Sequence, residues 1–152
     1  MKILGVIPSR MESKRLPGKP LLDINGKSMI QRVYESSINC KNLDDLIIAT
    51  PNDEIVSHVK EFNGNVLKTT DKPINGTERV YEVVEKINKK YDYIINIQVD
   101  EPFIKTVQIY DLIKICVKPN EICTLIKNEA YSKELTPVSY THLTLPTTSC
   151  VW

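Results

Sequence analysis

The apolar positions of this chain fall into short runs separated by sets at helical spacing. Ile3, Leu4, Val6 and Ile7 make the stretch 2–8 an apolar first strand. Leu46 to Ala49 form a second, ending at Thr50-Pro51; residues 65–68 form a short third and Tyr93 to Ile97 a fourth. Between the runs, Met29, Ile30, Val33 and Ile38 recur on one face behind Ser28, which can cap a helix. Ile55, Val56 and Val59 do the same in a helix opened by Asn52 or Asp53, running to Phe62 and stopped by Asn63-Gly64. Val80, Val83, Val84 and Ile87 predict a helix over 77–89, and residues 107–117 predict another. Residues 21–24 read as a short extended piece before an Asn25-Gly26 turn, and 121–126 as a fifth strand. Strand and helix alternate throughout, so the fold class is α/β with a mostly parallel sheet and flanking helices. Ligands of such sheets sit beyond the C-terminal strand ends. The polar stretches after the first, third and fourth strands therefore belong to one edge.

Three of these stretches carry candidate chemistry. The loop after the first strand places Arg10, Lys14, Arg15 and Lys19 among Pro8, Pro17, Gly18 and Pro20. A stiffened basic loop at a strand end suits a triphosphate and its leaving pyrophosphate. Asn75-Gly76-Thr77-Glu78-Arg79 opens a helix, whose amides can hold an anion or a ribose hydroxyl. Arg79 either reaches a nucleotide or pairs with a carboxylate. After the fourth strand, Asp100 is the best metal ligand, and Glu101 a weaker one or a loop stabiliser. Gln98 offers a donor and an acceptor to a base or ribose, or else braces the turn. Gly26-Lys27-Ser28 is not a P-loop, because Leu21 stands where that motif needs glycine. His58 lies on a helix surface, and no nucleophile, base and orienter stand out together.

The run P-S-R-M-E-S-K-R-L-P-G-K-P-L from Pro8, followed by D-I-N-G-K-S-M-I, resembles the signature of the sugar-nucleotide cytidylyltransferases. Within them it is most similar to the 3-deoxy-manno-octulosonate (Kdo) cytidylyltransferases, with N-G-T-E-R at Asn75 and Q-V-D-E-P at Gln98 as further matches. The resemblance runs from Met1 to about Thr124. It implies a Rossmann-like, GT-A-like nucleotidyltransferase fold and transfer of CMP from CTP to Kdo with release of pyrophosphate, for lipopolysaccharide synthesis. It implies Lys19, Arg15 and Asp100 as catalytic residues, with Asp100 holding Mg²⁺. It also implies nucleotide binding by Pro8, Arg10, Arg15, Lys19, Asn75, Gly76, Thr77, Arg79 and Gln98. The partners implied are CTP and Kdo, in a homodimer. The alternatives are a cytidylyltransferase for another acidic sugar, such as a nonulosonate, and a non-catalytic CTP-binding fragment. The sequence departs from the family at Val99, where glycine is usual, and valine there crowds the nucleotide or shifts the loop.

Composition narrows the setting. The chain has 152 residues, 26% of them charged, and a net charge of +1, so no global field draws it to nucleic acid or a membrane surface. No apolar run approaches a membrane span and the N-terminal apolar run is too short for a signal peptide, which predicts a cytoplasmic protein. Cys40, Cys116, Cys123 and Cys150 form no metal or redox spacing. From about Pro137 the chain changes character: residues 138–152 contain none of the 39 charged side chains. Residues 138–147 can be written GTC TCT TAT ACA CAT CTG ACG CTG CCG ACG, which looks like transposon-adapter DNA read in one frame. The expectation is an N-terminal part of a nucleotide-binding domain over 1–137 with an adapter-derived tail over 138–152, truncated from a longer protein.

Overall fold

The computed structural model describes residues 1–13 and 16–115. Its centre is a parallel sheet of four strands, β1 (Ile3–Pro8), β4 (Asp45–Thr50), β5 (Val66–Lys68) and β6 (Tyr93–Asn96), in the order β5-β4-β1-β6. Between β1 and β4 lie a 3₁₀ turn (Lys19–Leu21), a small hairpin of β2 (Asp23–Ile24) and β3 (Lys27–Ser28), and helix α1 (Met29–Ile38). Helix α2 (Asp53–Glu61) joins β4 to β5, α3 (Gly76–Lys86) joins β5 to β6, and α4 (Thr106–Ile115) follows β6. The α/β class and mostly parallel sheet expected from the pattern, and the Rossmann-like fold that the resemblance implies, are present. The expected strand over 121–126 and the boundary at 137 lie outside the described residues.

The side-chain alternation of the strands divides the core in two. Ile3 and Ile7 of β1, with Leu46 and Ile48 of β4, face the cluster completed by α1, α2 and α4. Leu4, Val6 and Ala49 face the other way, onto Val80 and Val83 of α3. Both faces are covered, which is why β1 is buried along its whole length and reads as a continuous apolar run. The chain moves from β1 outward through β4 to β5 with α1 and α2 on one face. It then returns past β1 to β6 with α3 on the other. The reversal makes the C-terminal end of β1 a topological switch point, where a crevice opens between diverging connections.

Local signals set most boundaries. Asn25 and Gly26 both adopt positive φ, 51° and 80°, which is the hairpin turn of β2 and β3. Asn63, at φ 56°, ends α2, and Gly64 N donates to Val59 O at 2.9 Å. Four details differ from the sequence reading. Ile38 is exposed, because the buried stripe of α1 runs through Ile30, Val33, Tyr34 and Ser37, and Ser37 Oγ donates to Val33 O at 2.7 Å. Helix α3 ends at Lys86 rather than at 89, because Lys89 and Tyr91 both bind the Asp45 carboxylate at the start of β4 and pull the chain across the sheet. Ile87 still packs on the α3 side. Residues 21–24 split between the 3₁₀ turn and β2.

The fourth difference concerns His58. Its Nε2 lies 2.7 Å from Ser28 Oγ and its Nδ1 3.1 Å from Glu61 Oε2, a serine–histidine–carboxylate line not anticipated from spacing. Ser28 is buried, and its oxygen also accepts from Gln31 N at 3.2 Å as the cap of α1. The line therefore braces α2 against the start of α1 rather than presenting a nucleophile.

Candidate active site

The crevice at the switch point is a cleft of about 450 Å³. Its first wall begins where β1 ends. Ser9 N still donates to Ala49 O at 2.8 Å, so the ladder carries Ser9 one residue past Pro8 before the chain leaves as a loop. The loop is closed on itself by Gly18 N donating to Met11 O at 3.0 Å, with Gly18 at φ 71°, in the left-handed region that favours glycine. Asn52 anchors it from the next strand's end. Asn52 Oδ1 accepts from Met11 N at 3.1 Å and Nδ2 donates to Glu12 Oε1 at 2.9 Å. This side chain precedes α2 but makes no cap bond to it. The Asn52 hydrogen bond is the main cause holding the Glu12 carboxyl below its usual range, with Arg10 and Arg79 adding attraction. The 3₁₀ turn then buries Pro20 and sets Lys19 on the cleft.

The opposing wall is the loop after β6. Asp100 Oδ2 receives Lys19 Nζ at 2.8 Å, joining loops far apart in sequence. Both side chains keep solvent access, 28% for Lys19 and 49% for Asp100, so the pair is accessible to a ligand. Gln98 Nε2 donates to Asn96 Oδ1 at 3.0 Å. Val99 lines the cleft and also packs against the main core, so this departure from the family pattern is anchored from below.

The third wall is the start of α3. Asn75 Oδ1 accepts from Glu78 N at 2.9 Å, while Glu78 accepts from Asn75 Nδ2 and from Ile74 N, each at 2.9 Å. This reciprocal cap holds the helix end beside Pro8. A Cβ on Gly76 would meet Pro8 Cγ at 3.3 Å, so glycine lets helix and strand end approach here. Arg79 is only 3% exposed. Its guanidinium donates to Thr69 Oγ1, to Thr70 O at 3.0 Å and to Pro73 O at 3.4 Å, tying down the loop after β5. Burial lowers its pKa, partly opposed by Glu82. The ion pairs found among the described residues do not include it.

Pro8, Arg10, Lys19, Asn75, Gly76, Arg79, Gln98 and Asp100 all line this one cleft. Thr77 does not, because it lies on the exposed side of the first turn of α3. Arg15 and Lys14 lie outside the described residues. Sequence reasoning missed Ser9, Glu12, Ser13 and Pro20 as lining residues, and Asn52 as the anchor of the loop. Asn52 carries a cap signal in the sequence, and nothing local shows that its amide turns to the neighbouring loop instead. Among the described residues, no group of three or more His, Cys, Asp or Glu side chains is placed to hold a metal.

The parallel sheet with helices on both faces is a Rossmann-like fold of the kind seen in solved nucleotidyltransferases. A nucleotidyl transferase from Methanothermobacter shares the fold with a TM-score of 0.61 at 17% identity, over 74% of this chain and 57% of that one. A solved CMP:2-keto-3-deoxy-manno-octonic acid synthetase complexed with CTP aligns with a TM-score of 0.72 at 39% identity, over 75% of this chain and 46% of that one. The family model described as Cytidylyltransferase matches residues 4–146, and the chain belongs to that family. It is 49% identical over 129 residues to the 3-deoxy-manno-octulosonate cytidylyltransferase of Parabacteroides distasonis, covering 84% of this chain and 50% of that protein. With the protein of the same name from Cytophaga hutchinsonii it shares 43% identity over 127 residues, 84% of this chain and 51% of that protein. The chain thus spans about half the length of the curated relatives it matches.

Proposed function

We propose that the protein is a CTP-dependent cytidylyltransferase that forms CMP-Kdo from CTP and 3-deoxy-manno-octulosonate, feeding lipopolysaccharide synthesis. The observation that carries this reading is the convergence on one cleft of the Lys19–Asp100 pair, Arg10 and the start of α3. The chain's cytidylyltransferase family supports it, as do relatives named for this sugar. The anomeric oxygen of the sugar attacks the α-phosphorus of CTP, and the bond from that phosphorus to the oxygen bridging to the β-phosphate breaks. That oxygen leaves with the pyrophosphate, and the proton of the sugar hydroxyl passes to solvent. Charge grows on the departing pyrophosphate. Arg10, exposed, and Lys19, partly exposed and released from Asp100, would meet it from a loop closed at Gly18 and anchored by Asn52. Arg15 would add a planar fork from the same loop. The amides of α3 offer donors to a nucleotide oxygen, and Gln98 an amide to the base or ribose.

A magnesium ion fits the residues present. One half-exposed carboxylate beside a cationic loop suits an ion that takes one or two carboxylates and fills its remaining positions with phosphate oxygens and water. Asp100 would hold it, and the bound ion would supply positive charge to the triphosphate.

The test is made on the complete product of the source gene, supplied with CTP, Mg²⁺ and either Kdo or a nonulosonate. The expected result is pyrophosphate and CMP-Kdo in equal amounts, with Kdo strongly preferred. Preferential use of the nonulosonate would replace the sugar assignment. CTP binding without turnover of either sugar would reduce the protein to a nucleotide-binding module.

A further inference from the structure

Among the described residues, one buried side-chain polar atom is left without a hydrogen-bond partner, and it belongs to a residue lining the cleft. Ser9 is 4% exposed, lines the cleft, and its Oγ has no hydrogen bond among the described residues. No other buried side-chain nitrogen or oxygen among those residues is left in this state. The rest of Ser9 is well held: its N–H is bound to Ala49 O at 2.8 Å, and it follows Pro8, which packs against Gly76. Buried hydroxyls are ordinarily satisfied, so an orphan at the floor of a ligand cleft marks a group whose partner arrives with the ligand.

The surroundings indicate what that partner is. Arg10 and Lys19 present positive charge to the same cleft, and Lys19 is already engaged by Asp100. Glu12, the other carboxylate lining the cleft, has Oε1 occupied by the Asn52 amide. An incoming molecule is therefore anionic and rich in acceptor oxygens, and a serine hydroxyl answers it with one donor at fixed position. We infer that Ser9 Oγ donates a hydrogen bond to an oxygen of the bound nucleotide and is a positioning and affinity determinant of the site. This deepens the reading of the cleft as a CTP site and rests on it. The backbone at the end of β1 is held in place, and because the oxygen is closed to water in the unliganded protein, the bond forms as the side chains around it adjust to the nucleotide.

The inference predicts effects of opposite sign from one substitution. Ser9→Ala removes an unpartnered buried hydroxyl, so the melting temperature of the unliganded chain should stay level or rise. CTP affinity, measured by calorimetry, should fall about tenfold, which is roughly 1.4 kcal/mol. Ser9→Cys, of similar size with a weaker donor, should fall between the two. Repeating the comparison with CMP and cytidine locates the oxygen: a loss that persists with cytidine places it on the nucleoside, and one that appears only with phosphate present places it on a phosphate. Binding by Ser9→Ala within twofold of the wild type would overturn the inference. So would a lowered melting temperature without ligand, which would make the hydroxyl part of the resting structure. If the wild type prefers another nucleoside triphosphate, the CTP reading fails, and Ser9 is judged with the preferred one by the same criterion. If it binds none, both fail.

Discussion

Arg79 and Lys19 bring the same charge to the same cleft and are used in opposite ways. Arg79 is buried and spends its donors on Thr69, Thr70 and Pro73, so the loop after β5 is folded around it. Lys19 stands on the loop after β1, and its ion-pair partner among the described residues is the half-exposed Asp100. A buried guanidinium with its hydrogen bonds made is costly to move, because leaving it unpaired would expose a charge to a poorly solvated interior. An exposed ion pair is worth little and exchanges easily. The difference separates a cation that builds the cleft wall from one whose pairing is open to exchange with solvent.

Substitutions at the two positions should therefore separate activity from stability. Lys19→Met should reduce turnover by about 10²–10³-fold, the usual consequence of losing one preorganised charge at a leaving group. Its denaturant midpoint should correspond to a change within about 0.5 kcal/mol, since its partner is half exposed. Arg79→Met should do the reverse at the level of the fold, costing about 2–3 kcal/mol as three acceptors lose a charged donor. Equal destabilisation by both substitutions would abolish the distinction.

The anchor of the loop sharpens it further. Asn52→Ala should cost about 1 kcal/mol and weaken CTP binding, because Met11 N and Glu12 both lose their partner. Val99→Gly should cost a similar amount through lost core contact and added backbone freedom, detectable by thermal melting. The smallest effect is one of pH. Glu12 has its carboxyl held below the usual value, so its contribution to stability is complete above that value and disappears as pH falls through the lowered one. The stability difference between wild type and Glu12→Gln, a few tenths of a kcal/mol at neutral pH, should vanish in acid below the ordinary glutamate range. Persistence of the difference at low pH would mean that the carboxylate's charge is not what holds the loop.

The pattern of apolar residues was enough to place the sheet and the connections, because burial on both faces leaves β1 and β4 no other way to be written. It also brought the three polar loops to one edge, since parallel strands all end on the same side. Asn25-Gly26 and Asn63 were legible for a local reason: each sits at a positive φ that asparagine and glycine tolerate. Asn75 to Arg79 read in the sequence as the opening of a helix, and the structure adds the reciprocal cap between Asn75 and Glu78.

What the tertiary structure alone decided is how side chains with several options are used. Asn52 and Ser28 both carry cap signals, yet the first turns to a loop 41 residues away, and the second caps its helix while bonding to His58. Arg79 reads in the sequence as a partner for a ligand or a carboxylate, and the fold ties its guanidinium to the loop after β5 while the residue lines the cleft. Ser9 reads as an ordinary residue at a strand end, and only the packing around it leaves its hydroxyl buried and unpartnered. Chain patterns specify which residues must be buried and where the backbone must turn, because those demands are local and repeat along the sequence. Partner choice among polar side chains depends on which distant segments arrive within hydrogen-bond reach, and that distance is a property of the assembled fold.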